Sequence, residues 1–250
     1  MILRALFAVL ALSLPAQAEM QIQSVTSPGG ITAWLVEDHN IPFTALEIQF
    51  KGGTSLDTPD KRGAVNLMTA LIEEGAADMD SRAFAEARDS LAANFSFDAG
   101  TDSIGVSASF LTENRDSAIA LLQQALNAPR FDQDAVDRVR EQVLSMLRSD
   151  EKDPDTIGSQ TFDALAFGDH PYGSGDGTLA TVAALTRDDI LAAHKGALAR
   201  DRIFVAAAGD ITAAELGPLL DQVLGDLPAI GALLRLRADW CPPHGLRGAA

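Results

Sequence analysis

Residues 45–77 read ALEIQFKGGTSLDTPDKRGAVNLMTALIEEGAA, and this stretch decides the fold. Its first six residues alternate small or polar with large apolar side chains, a period typical of a strand with one buried face. Lys51-Gly52-Gly53 supplies turn chemistry directly after the strand. Apolar residues then return at helical spacing over 63–77, where Gly75 favours a helix stop, so the sequence predicts a strand, a turn and an amphipathic helix.

The remaining elements follow the same two periods. Further strands are predicted at 21–25, 31–36, 95–98, 103–110 and 203–208. Helices are predicted over 81–94 with Ser81 as the cap, over 114–127 and 132–149, and after the capping residues Thr186 and Thr212. Strands first, two long helices next and a helix-strand-helix return predict an α+β fold, in which helices cover one face of a mostly antiparallel sheet.

The second long helix has a clear apolar stripe. Val136, Val139, Val143 and Met146 follow one another at steps of three and four residues. Residues at these steps share one helix face, so we expect all four side chains to be buried.

The amino terminus resembles a secretory signal. Arg4 precedes an apolar run over 5–14, and Ala16-Gln17-Ala18 forms a small-residue cleavage site. The run is about half the roughly twenty residues that a membrane-spanning helix needs. We therefore expect residues 1–18 to be removed and the protein to be exported, as to a periplasm, with no membrane span in the mature chain.

The net charge limits the classes of partner. The chain carries a formal charge of −16, which favours basic or neutral partners and disfavours nucleic acid and anionic lipid. Its single cysteine, Cys241, cannot form a disulfide within the chain, so the fold must rest on its apolar core.

The last segment differs from the rest. Residues 19–228 form one domain by pattern, whereas 229–250 combine arginines, prolines and a tryptophan without helical or strand period. An expression artefact or a change of reading frame would produce such an irregular tail, and an ordinary chain terminus is the alternative.

Seven short motifs in order resemble the pitrilysin/insulinase family, the inverzincin metallopeptidases that include mitochondrial processing peptidase. The resemblance covers residues 21–228. Its landmarks are FKGGTS at 50–55, the helix that starts after Gly63 and closes at EGA, 74–76, then PRF at 129–131, HPYG at 170–173, GT at 177–178, LTRDDI at 185–190 and VAAAGDI at 205–211.

The resemblance implies where a metal site would lie. In active members the helix after the first glycine carries His-x-x-Glu-His, whose histidines bind Zn²⁺ and whose glutamate is the general base. A glutamate about 75 residues further on supplies the third ligand, in the manner of other zinc hydrolases. In this chain the segment is Asn66-Leu67-Met68-Thr69-Ala70, and Met146 stands at the distal position.

These substitutions remove the zinc chemistry that the family uses. Asn66 and Ala70 replace the two histidines, Thr69 replaces the base and Met146 replaces the distal glutamate. An amide, a methyl and a thioether are poor ligands for Zn²⁺. We therefore expect no catalytic residue, no metal and no other cofactor, although a metal site built from the four scattered histidines would be the alternative.

The resemblance also implies a function. Active and silent chains of this family pair around a peptide chamber, so we expect a non-catalytic homologue that serves as the partner subunit of an active zinc peptidase and encloses a peptide. The alternatives are a truncated remnant, a free-standing binding module, and an active metalloendopeptidase with unorthodox ligands. A single repeat without its neighbour should expose apolar surface.

Overall fold

A computed structural model describes residues 21–174 and 177–232. The strands are β1 Gln23–Thr26, β2 Thr32–Glu37, β3 Phe43–Lys51, β4 Gly75–Ala76, β5 Met79–Asp80, β6 Asn94–Ala99, β7 Ser103–Leu111 and β8 Ile203–Gly209. The α-helices are α1 Ala64–Leu71, α2 Ser81–Ser90, α3 Arg115–Asn127, α4 Gln133–Asp150, α5 Pro154–Phe167, α6 Leu179–Ala184, α7 Arg187–Ala197 and α8 Ala213–Leu224.

Six strands form one sheet in the order β1-β2-β8-β3-β7-β6, and β4 pairs with β5 in a separate two-stranded ribbon. All neighbours in the large sheet are antiparallel except β2 and β8. The prediction of an α+β fold with a mostly antiparallel sheet is confirmed.

Alternation along β3 shows why the sheet has two unlike faces. Leu46, Ile48 and Phe50 are buried, and Glu47 and Gln49 between them are exposed. Successive strand residues point to opposite faces, so the apolar set faces the helices. Helices α1 and α3 contact β6 and β7 respectively, while α7 packs on α1 and α8 packs on α3.

The opposite surface of the sheet, which we call the open face, carries a mixture of exposed aromatic, charged and small side chains. It includes Trp34, Glu47, Gln49, Ser107 and Phe204. Trp34 is 56% exposed and Phe204 is 41% exposed. Large aromatic side chains on an uncovered sheet face agree with the expectation that the repeat exposes apolar surface.

Helix α1 is shorter than the predicted 63–77 segment. It begins after Gly63, whose φ of 94° is left-handed, and it ends at Leu71. The chain then turns so that Gly75 accepts a hydrogen bond from the Arg130 amide and Ala77 donates to the Ala128 carbonyl. These backbone contacts with a distant segment stop the helix before its apolar pattern ends.

The second predicted helix also needs correction at both ends. Asp80, and not Ser81, caps α2 by accepting the Ala83 amide. The Ser81 hydroxyl instead donates to the Glu74 carboxylate at 2.5 Å. The helix ends at Ser90, because Ala92 adopts a positive φ of 48° that a continuing helix does not allow.

Helices α5 and α6 were not predicted. No side chain of α5 is buried, and Ile157, Phe162 and Leu165 are exposed along it. A helix whose apolar residues face solvent lacks the core-facing stripe on which sequence recognition depends. Its exposed apolar side chains are a second instance of the expected uncovered surface.

The two chain ends contribute little to the described structure. The predicted signal at 1–18, Cys241 and most of the irregular segment 229–250 lie outside the described residues. Gly231 and Ala232 lie within them, and the Ala232 amide donates to the Gly196 carbonyl. Across the described residues, helix lengths and compositions do not meet the requirements of a bilayer span.

Candidate functional site

The structure brings the helix that carries Asn66 and the helix that carries Met146 to one cavity. Asn66 lies on α1, and Met146 lies on α4, 80 positions later in the sequence. The two helices are in contact. Both line a cavity of about 310 Å³, whose other lining residues are Val143, Leu147, Ser149 and Asp150. Two positions chosen only from a family resemblance therefore share one site.

Met146 departs from the burial that its apolar stripe predicts. Its side chain is 58% exposed, whereas Val136, Val139 and Val143 are buried. The stripe leaves the core at this point, where Met146 lines the cavity together with Asn66. Position 146 thus faces the site and solvent, as a metal-binding side chain would.

Thr69 and Ala70 complete the set on α1. The Thr69 hydroxyl donates to the Asn66 carbonyl at 2.9 Å, and the residue is only 4% exposed. Ala70 is exposed and presents a methyl group. A hydroxyl that is bonded to its own helix does not accept a proton from water near neutral pH.

The polar groups at this cavity do not fit a hydrolytic zinc ion. They comprise the Asn66 amide, the Met146 thioether, the Ser149 hydroxyl and the Asp150 carboxylate. Catalytic zinc sites use three imidazole or carboxylate ligands, and this cavity offers one carboxylate. Among residues 21–174 and 177–232, His, Cys, Asp and Glu form no group of three or more that is suited to hold a metal ion.

Three of the four histidines are described, and each has another partner. The His170 ring accepts a hydrogen bond from the Tyr172 amide at 3.3 Å within the HPYG segment. His39 contacts the Asp210 carboxylate at 2.6 Å in a surface turn. His194 donates from Nε2 to the Leu126 carbonyl at 2.9 Å. His244 lies outside the described residues.

The adjacent carboxylates Glu73 and Glu74, which follow α1, both form ion pairs with arginines. Glu73 accepts a hydrogen bond from Arg88 at 2.9 Å, and burial raises its pKa. Glu74 pairs with Arg138 at 2.5 Å. Partial burial opposes ionisation of Glu74, but its hydrogen bonds with Arg138 and Ser81 lower its pKa. Both carboxylates are committed to ion pairs that tie α1 to α2 and α4.

His194 gives a pH-dependent prediction. Burial lowers its pKa below the ordinary 6.5, so the folded protein binds this proton less tightly than the unfolded chain does. Stability from neutral His194 is therefore present above pH 6.5 and is lost as the pH falls through the lowered value. We expect the stability difference between the wild type and His194→Gln to shrink from about pH 7.5 to about pH 5 in urea titrations, and a constant difference would contradict this assignment.

The fold and the cavity together define a metallopeptidase-like repeat whose ligand positions hold other chemistry. Comparison with known proteins agrees with this class. The model of the insulinase family, peptidase family M16, matches residues 32–175. That match covers more than half of the chain, and the chain belongs to the insulinase family.

Three similar proteins show which kinds of family member this chain resembles. The Helicobacter pylori protein called non-peptidase homolog YmxG is 26% identical over 193 residues, which are 77% of this chain and 45% of that protein. The probable mitochondrial-processing peptidase subunit beta of Schizosaccharomyces pombe is 24% identical over 227 residues, 90% of this chain and 49% of that protein.

The crystal structure of a peptidase M16 inactive domain from Pseudomonas fluorescens superimposes with a TM-score of 0.81 at 26% identity. The match covers 87% of this chain and 53% of that one. This chain thus spans about half the length of the relatives it matches.

Proposed function

We propose that this chain is a non-catalytic member of the insulinase family that forms one wall of a peptide-enclosing chamber with an active zinc peptidase of the same family. The observation that carries the proposal is the cavity between α1 and α4, which is lined by Asn66 and Met146, the residues at two positions that the family resemblance assigns to metal ligands. Their amide and thioether groups do not supply a zinc site.

The uncovered surfaces support a role in association. The open face presents Trp34 and Phe204, and α5 presents Phe162 and Leu165, which are 67% and 74% exposed. Exposed apolar surface of this kind marks an interaction site in a stable soluble protein. The net charge of −16 favours a partner or peptide with basic or neutral surface.

The relatives support a silent role. Two of the three proteins reported above are called a non-peptidase homolog and an inactive domain. The third is called a probable subunit, as expected for a family whose members assemble. Export of the mature chain after residue 18 remains part of the proposal and rests on the signal-like amino terminus.

Association gives a direct prediction. We expect this chain to form a stable complex when mixed with an active zinc peptidase of the insulinase family from the same organism, because such a partner would bury its exposed apolar surface. Size-exclusion chromatography with light scattering, on each protein alone and on the mixture, measures the mass of the complex.

The matched control carries Phe162→Ser and Leu165→Ser, which remove apolar surface from α5 without touching the core. Wild-type chain that elutes as a free monomer in the mixture would contradict the partner role. The remaining alternatives would then be a truncated remnant and a free-standing binding module.

A further inference from the structure

A further cavity lies on the open face, away from the α1 and α4 helices. Its volume is about 460 Å³, within the range of roughly 300–1,000 Å³ that is typical of ligand pockets. The cavity sits over the first residues of the parallel strands β2 and β8, next to the Gly29-Gly30 turn. Trp34 and Phe204 provide its aromatic walls.

One guanidinium at this cavity has no partner among the residues that the structure describes. Arg200 is among the lining residues, and its Nε is buried with no hydrogen-bond acceptor among the described residues. The neighbouring carboxylates are committed elsewhere: Asp201 accepts from Arg202 at 3.1 Å, and Asp221 accepts from the Gly29 amide at 2.8 Å. An arginine at the cavity that forms no ion pair among the described residues favours a ligand that brings a carboxylate to its guanidinium.

A second cation contacts one of the two aromatic walls. The Lys51 ammonium lies 4.6 Å from the centre of the Phe204 ring, a cation-π contact, and no carboxylate of the described residues forms an ion pair with it. Two uncompensated cations beside one aromatic cavity are unexpected in a chain of net charge −16. Their placement favours a ligand that carries both an anion and an apolar group.

We propose that this cavity binds the carboxyl-terminal residue of a peptide, with its free carboxylate at Arg200 and an apolar side chain between Trp34 and Phe204. An internal residue carries an acidic or an apolar side chain, whereas a terminal residue combines a carboxylate with an apolar side chain. The inference deepens the proposed function and rests on it for the peptide nature of the ligand. It adds that the chamber wall selects peptide ends.

Isothermal titration calorimetry on the full chain, with the probe N-acetyl-Gly-Ala-Phe, tests the proposal. We expect the free acid to bind at least about tenfold more tightly than the amide, since only the acid pairs with Arg200. Arg200→Met removes this difference. Arg148→Met, which removes an exposed arginine that pairs with Glu141, leaves it intact. Trp34→Ala weakens acid and amide alike.

Equal binding of acid and amide by the wild type would overturn the proposal, as would a difference that survives Arg200→Met. Absence of binding by either probe up to about 1 mM would overturn it too. Binding of 3-phenylpropionate without binding of the peptide acid would assign the cavity to a small free acid and overturn the peptide. These titrations need neither zinc nor a second subunit, so their failure leaves complex formation as a separate test.

Discussion

Asp57→Ala is expected to lower the free energy of unfolding by about 3–5 kcal/mol, which is a large part of the stability of a domain of this size. Asp57 is 5% exposed, and its carboxylate accepts hydrogen bonds from the Gly63 amide at 2.9 Å and the Val65 amide at 3.1 Å. These are the first amides of α1, which otherwise have no acceptor at the helix end. Arg62, also buried, lies close enough to favour the ionised carboxylate.

Loss of this carboxylate leaves two buried amide donors without their acceptor and removes the negative charge that faces Arg62. Urea denaturation followed by circular dichroism measures the change. Asp60→Ala is the matched control, because Asp60 lies in the same loop and is exposed. A loss of less than about 1 kcal/mol for Asp57→Ala would show that the α1 terminus does not depend on this side chain.

The pKa of Asp57 predicts how the effect of Asp57→Ala on stability depends on pH. Burial raises it to about 6, above the ordinary 3.8. The folded protein therefore binds this proton more tightly, so the stability from protonated Asp57 is lost as the pH rises through about 6. The stability of the wild type relative to the variant should accordingly be greater near pH 4.5 than near pH 7.5, by less than the full pKa shift because the unfolded carboxylate is already mostly ionised at pH 4.5.

The second large effect is expected when the family's metal ligands are restored, because the variant should gain a zinc site. The triple variant Asn66→His, Ala70→His and Met146→Glu is expected to bind about one Zn²⁺ per chain. Positions 66 and 70 lie one helical turn apart on α1, and position 146 faces the same cavity as position 66. Thr69 is left unchanged because it is buried and a glutamate there would have to desolvate.

Elemental analysis after desalting measures the zinc. Met146→Glu alone is the matched control, because the added carboxylate and Asp150 without the two imidazoles fall short of the three ligands that a zinc site needs. A triple variant that folds but contains no zinc would show that the α1 and α4 positions are not close enough to form the family site. The account of Asn66 and Met146 as replaced ligands would then fail.

The sequence predicted the large sheet well. The alternation over 45–50 and 103–110 specified β3 and β7 to within two residues at each end, because a strand with one buried face repeats every second residue. The Thr186 and Thr212 capping boxes likewise appear at the starts of α7 and α8. These signals are local, so a sequence pattern contains them.

Other features depend on contacts between distant segments, which no local pattern contains. The cap of α1 comes from Asp57 across a loop, and α1 ends early because Gly75 and Ala77 bond to residues 128–130. The exposure of Met146 follows from where α4 leaves the core. The cavity beside Arg200 was also missed, since Trp34, Lys51 and Arg200 converge only in the folded sheet.

The candidate site was predictable only in part from the sequence. Its four positions were found through resemblance, and their residue types alone predicted the loss of zinc chemistry. The sequence does not show that Asn66 and Met146 share a cavity. The structure places both residues at one cavity, as two positions of a single ligand set require.

The zinc content of the wild-type chain tests the central claim most directly. The purified protein is incubated with an equal amount of Zn²⁺, desalted and measured by elemental mass spectrometry, with the triple variant as the positive control. The account predicts less than about 0.1 zinc per wild-type chain. About one zinc per chain, lost on Asn66→Ala or Met146→Ala, would show that these residues hold a metal and would contradict the silent role.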